Sequence, residues 1–308
     1  MENIINYYYN ITIENIIKQN DNLYFSSNGN KYCFRIFSNN INLIKDIYNL
    51  NNYLSTIILI DKIILNKDNE ILTEYNNNLY ILTLINNKTS IEDLIYSNKV
   101  LPTISNLSNI KVPETKALER NNWEILWGNM IDYYEMQIGQ NEKKFPLIRE
   151  SLDYYIGMAE NAISYLVNTK KEVKKENSDN MVLAHNNLNH SLFDPLNIIF
   201  DHKARDLAEY IKLSFFNNNK DIFKELDEYF FYNRYSLYGI RVLYARVLYP
   251  SYYFKLYDKI LRGENEEKEL TPIISRINEY EDYLYNLSLY LNKYYDIPSV
   301  DWLKKTRY

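Results

Sequence analysis

The chain has 308 residues, of which 46% are hydrophobic and 24% charged, and its formal net charge is −5. This balance is ordinary for a globular protein, and it argues against nucleic-acid binding, which needs a concentrated basic face. No stretch reaches the run of about 18 apolar residues that a membrane helix requires, and the one cysteine, Cys33, cannot form an internal disulfide framework. We therefore predict no nucleic-acid partner, no membrane span and synthesis in a reducing cytoplasm.

The first ~85 residues read mainly as short strands. Segments rich in Tyr, Phe and Ile predict strands at Tyr7–Ile13, Asn22–Ser26, Lys31–Phe37, Thr56–Leu65, Ile71–Tyr75 and Leu79–Leu84. The run Asn28-Gly29-Asn30 is a hairpin turn signal. Apolar residues at near-helical spacing predict one helix, from Ile41 to about Ser55, in the middle of these strands.

The pattern changes to helices after about residue 88. Helices are predicted at Thr89–Tyr96, Lys116–Gln137, Phe145–Leu166, Asp206–Phe216, Asp221–Tyr232, Leu237–Leu248, Tyr252–Leu261 and Thr271–Tyr294. Ser97–Thr115 and the charged stretch Lys170–Asn180 read as connections. We thus predict an α+β chain with a small β-rich N-lobe (1–88) and a larger, mostly helical C-lobe (89–308). This order is the two-lobed plan of kinase-like proteins, in which a nucleotide lies between the lobes.

All three histidines lie in one window, Met181–Tyr210, together with three aspartates. In small-molecule kinases of the aminoglycoside and choline type, a strand leads into a loop that reads His-Gly-Asp and later Asn. A second strand then ends in a metal-binding Asp. His185 stands at the place of the loop histidine, Asn187 at that of the catalytic Asp, Leu192 at that of the metal-binding Asn, and Asp201 at that of the metal-binding Asp. The frame is recognisable, but two of its three working residues differ.

The predicted third strand carries Arg35 at or near the place of the lysine that pairs with the nucleotide phosphates. Arginine keeps the charge but not the compact ammonium geometry. No Gly-rich phosphate loop is visible near Gly29. Asn187 cannot accept a proton as a carboxylate does, and Leu192 cannot bind a cation. Losing a catalytic carboxylate typically costs orders of magnitude in rate.

Four further stretches carry a more specific resemblance. Asp201–Lys212 (DHKARDLAEYIK), Tyr154–Ala162, Leu243–Pro250 and Ile297–Leu303 resemble spore coat proteins of the CotS/YutH type, and the YutH branch most of all. They span most of the helical lobe, whereas the first ~110 residues match in general layout only. The resemblance implies a kinase-like fold, synthesis in the mother cell, localisation in the endospore coat and other coat proteins as partners. It also implies a degenerate catalytic loop, in an old cleft that could still bind ATP and Mg²⁺ or a small ligand weakly.

Two other functions stay open at this stage. His185, His190 and His202, with Asp194 or Asp201, could supply ligands for zinc or another divalent ion, although no known ligand spacing is present. Alternatively, the chain could be an active kinase that uses Asp201 for the metal and Asp194 in place of the lost carboxylate.

Structural roles are predicted for several other conspicuous residues. Asp206 is expected to cap or anchor a helix. Arg241 and Arg246, on an apolar helix, are expected to form buried or half-buried ion pairs. Tyrosines near Tyr280, Tyr283 and Tyr290 could serve a coat interface if they are exposed.

Overall fold

A computed structural model of the chain describes residues 2–19, 22–113, 116–141 and 144–304. Strands are β1 (Glu14–Gln19), β2 (Asn22–Ser27), β3 (Asn30–Ile36), β4 (Lys62–Ile64), β5 (Thr73–Tyr75), β6 (Asn78–Ile85), β7 (Met181–His185) and β8 (Ile198–His202). Helices are α1 (Glu2–Tyr9), α2 (Ile44–Leu54), α3 (Ile91–Tyr96), α4 (Val100–Ser108), α5 (Trp123–Asn141), α6 (Pro146–Glu172), α7 (Ala204–Phe216), α8 (Ile222–Tyr232), α9 (Leu237–Leu248), α10 (Ser251–Leu261), α11 (Thr271–Ile274) and α12 (Ile277–Leu291).

The chain divides into two compact units. The first unit comprises residues up to Val100, Asn106–Glu119 and Leu183–Phe200, and the second comprises Leu101–Ser105, Arg120–Val182 and the residues from Asp201 onwards. The second unit therefore receives the greater part of the helices. Within the described residues, we find no helix with the length and apolar character needed to cross a membrane.

An antiparallel sheet forms the centre of the first unit. Its strand order is β1-β2-β3-β6-β4, and β5 pairs with β6. Ser27 pairs with Asn30 across the β2–β3 turn, and the two turn residues Asn28 and Gly29 have φ values of +50° and +77°. Two consecutive positive φ values define the tight hairpin turn that matches strand twist, so this predicted hairpin is confirmed.

The predicted strand Tyr7–Ile13 is wrong, because the chain forms helix α1 there and the first strand begins only at Glu14. The strand was predicted because Tyr7, Tyr8 and Tyr9 are consecutive and aromatic residues are enriched in strands. The residues that reach the core are instead Ile4, Ile5 and Tyr9, a helical spacing, and they pack on the sheet beside Phe34. Asn10, with φ of +54°, follows the helix in the left-handed conformation typical of a helix end.

Other element boundaries also differ from the prediction. Ser97–Thr115 is not merely a connection, because α4 forms within it; Pro102 lies in the first turn, where no backbone N–H is needed. The predicted strand Thr56–Leu65 shrinks to β4. The predicted helix Thr271–Tyr294 breaks into α11 and α12, and the one predicted from Lys116 begins at Trp123. Helix α6 runs six residues past its predicted end at Leu166, to Glu172.

Aromatic packing dominates the core of the second unit. Tyr155 stacks on Tyr253 with ring centroids 3.8 Å apart. Tyr280 and Tyr290 are also buried, and their hydroxyls donate to the Val247 carbonyl and the Asp227 carboxylate respectively. The suggestion of a coat interface is therefore wrong for these two tyrosines, since they are core residues. Tyr283 is partly buried, and its hydroxyl donates to the Ile211 carbonyl at 3.0 Å.

Close packing around Gly239 of α9 yields a stability prediction. A Cβ at Gly239 would lie 2.9 Å from Asp179 Oδ1 and 3.3 Å from His202 Cε1. We expect Gly239→Ala to lower the free energy of unfolding by about 1–3 kcal/mol, because neither neighbour can shift freely. Gly157→Ala on α6 is the control; its Cβ would meet nothing within 4 Å, so the protein should gain about 0.5–1 kcal/mol. Urea unfolding measures both, and a neutral Gly239→Ala would contradict the packing.

Candidate functional site

The first part of the candidate site is the loop of residues 186–197, which joins the paired strands β7 and β8. Asn197 closes this loop with its side chain. Its Oδ1 accepts from the Asn187 N–H at 2.9 Å, and its Nδ2 donates to the carbonyls of Asn187 (2.9 Å) and Ser191 (3.0 Å). Both ends of the amide are thus engaged by loop backbone, which fixes the loop's shape.

Two of the sequence-predicted site residues, His185 and Asn187, flank the start of this loop. His185 is buried at the end of β7, and its Nε2 donates to the Leu192 carbonyl at 3.0 Å. The Asn187 Oδ1 accepts from the Asn189 N–H at 3.1 Å and so forms a local turn. Leu192, which stands at the place of the metal-binding Asn, is buried and apolar. All three residues therefore shape the loop.

Arg35 of β3 forms an ion pair with Asp194 of the same loop. The Nη1 and Nη2 atoms of Arg35 donate to the two carboxylate oxygens of Asp194 at 2.7 and 2.5 Å, a bidentate arrangement. Burial alone would lower the pKa of Arg35, but the charge and hydrogen bonds of Asp194 raise it above its ordinary value. Asp194 Oδ1 also accepts from the Leu196 N–H at 3.0 Å. The pair thus joins the strand to the loop.

Asp61 is a further buried carboxylate of the first unit that sequence analysis missed. Its Oδ1 accepts from the N–H groups of Asn86 (2.9 Å) and Asn87 (3.1 Å). Burial raises its pKa to about 6, and those two hydrogen bonds only partly oppose the effect; the charge of Asp194 raises it further. No sequence signal marks Asp61, because its partners are backbone groups far along the chain.

In the second unit, Asp201 is enclosed by hydrogen-bond donors. Its Oδ1 accepts from Arg246 Nη2 at 2.5 Å and from Trp123 Nε1 at 3.1 Å, and its Oδ2 accepts from Arg205 Nη1 at 3.2 Å. Both guanidinium groups lie 4.7 Å from the centre of the Trp123 ring. Burial lowers the pKa of Arg246, and the charge of Asp201 opposes that effect. The ion pairs predicted for Arg246 and Arg241 are confirmed; Arg241 pairs with Glu172.

His202, next to Asp201, is held by Asp179. The Ala204 N–H donates to His202 Nδ1 at 3.1 Å, so Nδ1 is unprotonated and the proton of the neutral ring lies on Nε2, 3.2 Å from Asp179 Oδ1. Asp179 also accepts from Ser236 Oγ and from the Glu176 N–H. Burial alone would raise the pKa of Asp179, but these hydrogen bonds hold it below its ordinary value.

A metal centre built from histidines and carboxylates gains no support. Among residues 2–19, 22–113, 116–141 and 144–304, no group of three His, Cys, Asp or Glu side chains is arranged to hold a metal ion. The candidates are instead divided between the units: His185, Asn187, Asp194 and Arg35 in the first, and Asp201 and His202 in the second.

Solved structures with a similar fold define the class of protein. An aminoglycoside phosphotransferase from Alicyclobacillus acidocaldarius has a TM-score of 0.56 and 10% identity, covering 90% of this chain and 92% of that one. A choline/ethanolamine kinase family protein from Mesorhizobium loti has a TM-score of 0.54 and 11% identity, covering 89% of this chain and 88% of that one. These likenesses show the fold, so the predicted α+β, two-lobed kinase-like class, with a β-sheet N-terminal lobe and a helix-rich C-terminal region, is confirmed.

The family follows from sequence comparison. The family model described as "Spore coat putative kinase YutH" matches residues 2–287, so the chain belongs to that family. An endospore coat-associated protein YutH of Bacillus subtilis (strain 168) is 31% identical over 218 residues, which make up 62% of this chain and 64% of that protein. The match thus spans less than two thirds of the curated relative's length. The family resemblance seen in the sequence is confirmed.

Acid is expected to weaken the second unit through His202. Burial lowers the pKa of His202, and the hydrogen bond to Asp179 only partly offsets this. The unfolded chain therefore binds more protons than the folded one below about pH 6.5, and the free energy of unfolding falls as the pH drops through that value. His202→Gln should flatten this dependence below about pH 6.5, as measured by urea unfolding at several pH values.

His190→Gln is the matched control, because His190 is exposed. The raised pKa of Asp61 makes the free energy of unfolding fall as the pH rises near 6, which is opposite to the effect of His202. Because Asp61 is present in every variant, the difference between wild type and His202→Gln reports on His202. Equal slopes in wild type and His202→Gln would contradict the assignment of a neutral, buried His202.

Proposed function

We propose that the protein is a catalytically degenerate member of the kinase-like fold that acts as a structural or interaction component of endospore coat assembly. The residues of its candidate site serve the architecture of each unit, and phosphoryl transfer is lost. The proposal has two parts, one about chemistry and one about location. Each part is supported by separate observations.

The observation that carries the chemical part is the ion pair between Arg35 and Asp194. Phosphoryl transfer depends on positioned charges: a cation that pairs with the phosphates and a carboxylate that orients the acceptor hydroxyl. Arg35 stands at the place of that cation, and Asp194 is the one carboxylate in the loop. Because the two Nη atoms of Arg35 donate to both carboxylate oxygens of Asp194, a nucleotide or an acceptor could engage either residue only by breaking this pair.

The remaining positions support the same conclusion. Asn187 has no carboxylate, and the amide oxygen of Asn197, the kind of atom that binds Mg²⁺, accepts from loop backbone. Asp201 receives hydrogen bonds from two arginines and a tryptophan. A cation at Asp201 would have to displace a buried guanidinium, which would leave a charge unpaired at a cost of about 3–5 kcal/mol. The residues present therefore do not fit ATP and Mg²⁺ as a kinase would bind them.

The proposed location and partners are supported by the family to which the chain belongs and by its Bacillus subtilis relative. The chain belongs to the family described as "Spore coat putative kinase YutH", and the Bacillus subtilis relative is described as endospore coat-associated. We infer synthesis in the mother cell, localisation in the endospore coat and contacts with other coat proteins. Because the kinase-like fold hosts many functions, the fold alone does not decide between catalysis and assembly.

Thermal unfolding with millimolar ATP, with and without Mg²⁺ or Mn²⁺, tests the chemical part. A ligand that binds only the folded state raises the melting temperature when it is well above its Kd. We expect no metal-dependent rise in the melting temperature of the wild type, because Arg35 is already paired with Asp194. We expect none in Arg35→Gln either, because that variant lacks the cation. Lys31→Gln is a charge-matched control, since Lys31 is exposed on the same strand.

A metal-dependent rise that Arg35→Gln abolishes and Lys31→Gln retains would overturn the proposal. It would show that the Arg35–Asp194 pair opens for a nucleotide. The active-kinase alternative, with Asp194 as the substitute carboxylate, would then be favoured. Each variant is compared with its own melting temperature without ligand, so that the stability lost with the ion pair does not enter the comparison.

A further inference from the structure

The second unit contains a pocket that the proposed function does not use. It encloses about 510 Å³, including the part open to solvent, and residues of the second unit line it. It lies beside the start of α5, the end of α6 and the start of α9. Asp201 and His202 form part of its wall.

Positive charge dominates this pocket although the whole chain is acidic. Arg120, Lys170, Lys175 and Arg246 line it, against the carboxylates Asp179 and Asp201. Both carboxylates accept hydrogen bonds from protein donors. Asp201 accepts from arginines and Trp123, and Asp179 accepts from His202, Ser236 and backbone. Neither therefore presents a free negative charge to a ligand, whereas the cations do not all have partners.

Arg120 and Lys175 are the cations available to a ligand. No carboxylate among the described residues forms a salt bridge with either side chain, whereas Lys170 is paired with Glu124 at 2.6 Å. The Lys175 ammonium lies 5.5 Å from the centre of the Tyr238 ring. A single surface cation without a carboxylate partner is common, because surface ion pairs are weak. Two of them, Arg120 and Lys175, at one concave site are what points to an anionic ligand.

Two further groups suit an anion. Trp123 opens the 19-residue helix α5 at the pocket wall, and the first N–H groups of a helix lack intrahelical acceptors and carry partial positive charge. The Nε atom of Arg246, also at the wall, is buried and has no hydrogen-bond partner within the described protein. Neutral His202 adds no negative charge to the site.

We propose that this pocket binds a small phosphate-bearing anion, either free phosphate or a phosphomonoester, through Arg120, Lys175 and the start of α5. Phosphate oxygens match guanidinium and ammonium donors together with helix N–H groups. Binding there requires neither a nucleotide nor catalysis, so it stands or falls independently of the proposed function. Occupation would join α5, the segment after α6 and α9, and would stabilise the second unit.

The experiment measures the melting temperature and Kd with inorganic phosphate and, separately, with O-phosphoserine, against potassium chloride at equal ionic strength. The test variant is Arg120→Gln/Lys175→Gln. Lys171→Gln/Lys174→Gln is the control, because it makes the same change in net charge at exposed lysines outside the pocket. We expect the test variant to weaken binding by about tenfold or more, the effect of losing charge-assisted hydrogen bonds. The control should leave Kd unchanged.

Binding of either probe with this dependence supports the proposal, and the better probe identifies the source of the phosphate. Phosphate stabilises many proteins nonspecifically, as an excluded salt. A shift equal in the two double variants, or no shift with either probe, would therefore overturn the proposal. A shift with ATP that is lost in Arg120→Gln/Lys175→Gln but kept in Arg35→Gln would belong to this pocket and would leave the proposed loss of phosphotransfer intact.

Discussion

The contact between Arg35 and Asp194 is the interaction on which the first unit's candidate site depends. It is bidentate and half-buried, with exposed side-chain fractions of 19% and 15%, so it is screened less than a surface pair. It connects β3 with the loop between β7 and β8, and Asp194 also starts the turn before β8 by accepting from the Leu196 N–H. The same two charges that could serve a nucleotide thus hold the loop in place.

In the second unit, Asp201 is likewise paired with arginine side chains of the protein itself. Its carboxylate is buried and paired with two guanidiniums, and removing Arg246 would leave it with Arg205 alone. Trp123 completes the enclosure by donating to the same oxygen as Arg246 and by packing beside both guanidiniums. The loss of catalysis that we propose therefore rests on internal pairing of charges as well as on substitution of residues.

Periodicity predicted many helices of the second unit well, because helices such as α8 bury one stripe, here Ile222, Leu226 and Tyr229. Helix α9 is buried on all sides, and Leu237–Leu248 was predicted with both ends correct. Composition misled at α1, where neighbouring tyrosines suggested a strand. The hydrogen bonds by which the Asn197 side chain closes the loop were not predicted. An Asn that binds loop backbone cannot be told from any other Asn in a chain rich in that residue. The non-glycine residues with positive φ in the described chain are all asparagines, such as Asn28 and Asn122. Asparagine thus takes turn positions that glycine often fills.

Transfer of the γ-phosphate of labelled ATP is the most direct test of the central claim. The protein is incubated for hours with millimolar Mg²⁺ or Mn²⁺, alone and with an extract of coat proteins, beside Asp194→Asn and Asp201→Asn. The paired charges predict that release or transfer of label by the wild type is no faster than by either variant. Turnover by the wild type that both variants abolish, with Asp153→Asn on the exposed face of α6 unaffected, would contradict the account and establish an active kinase.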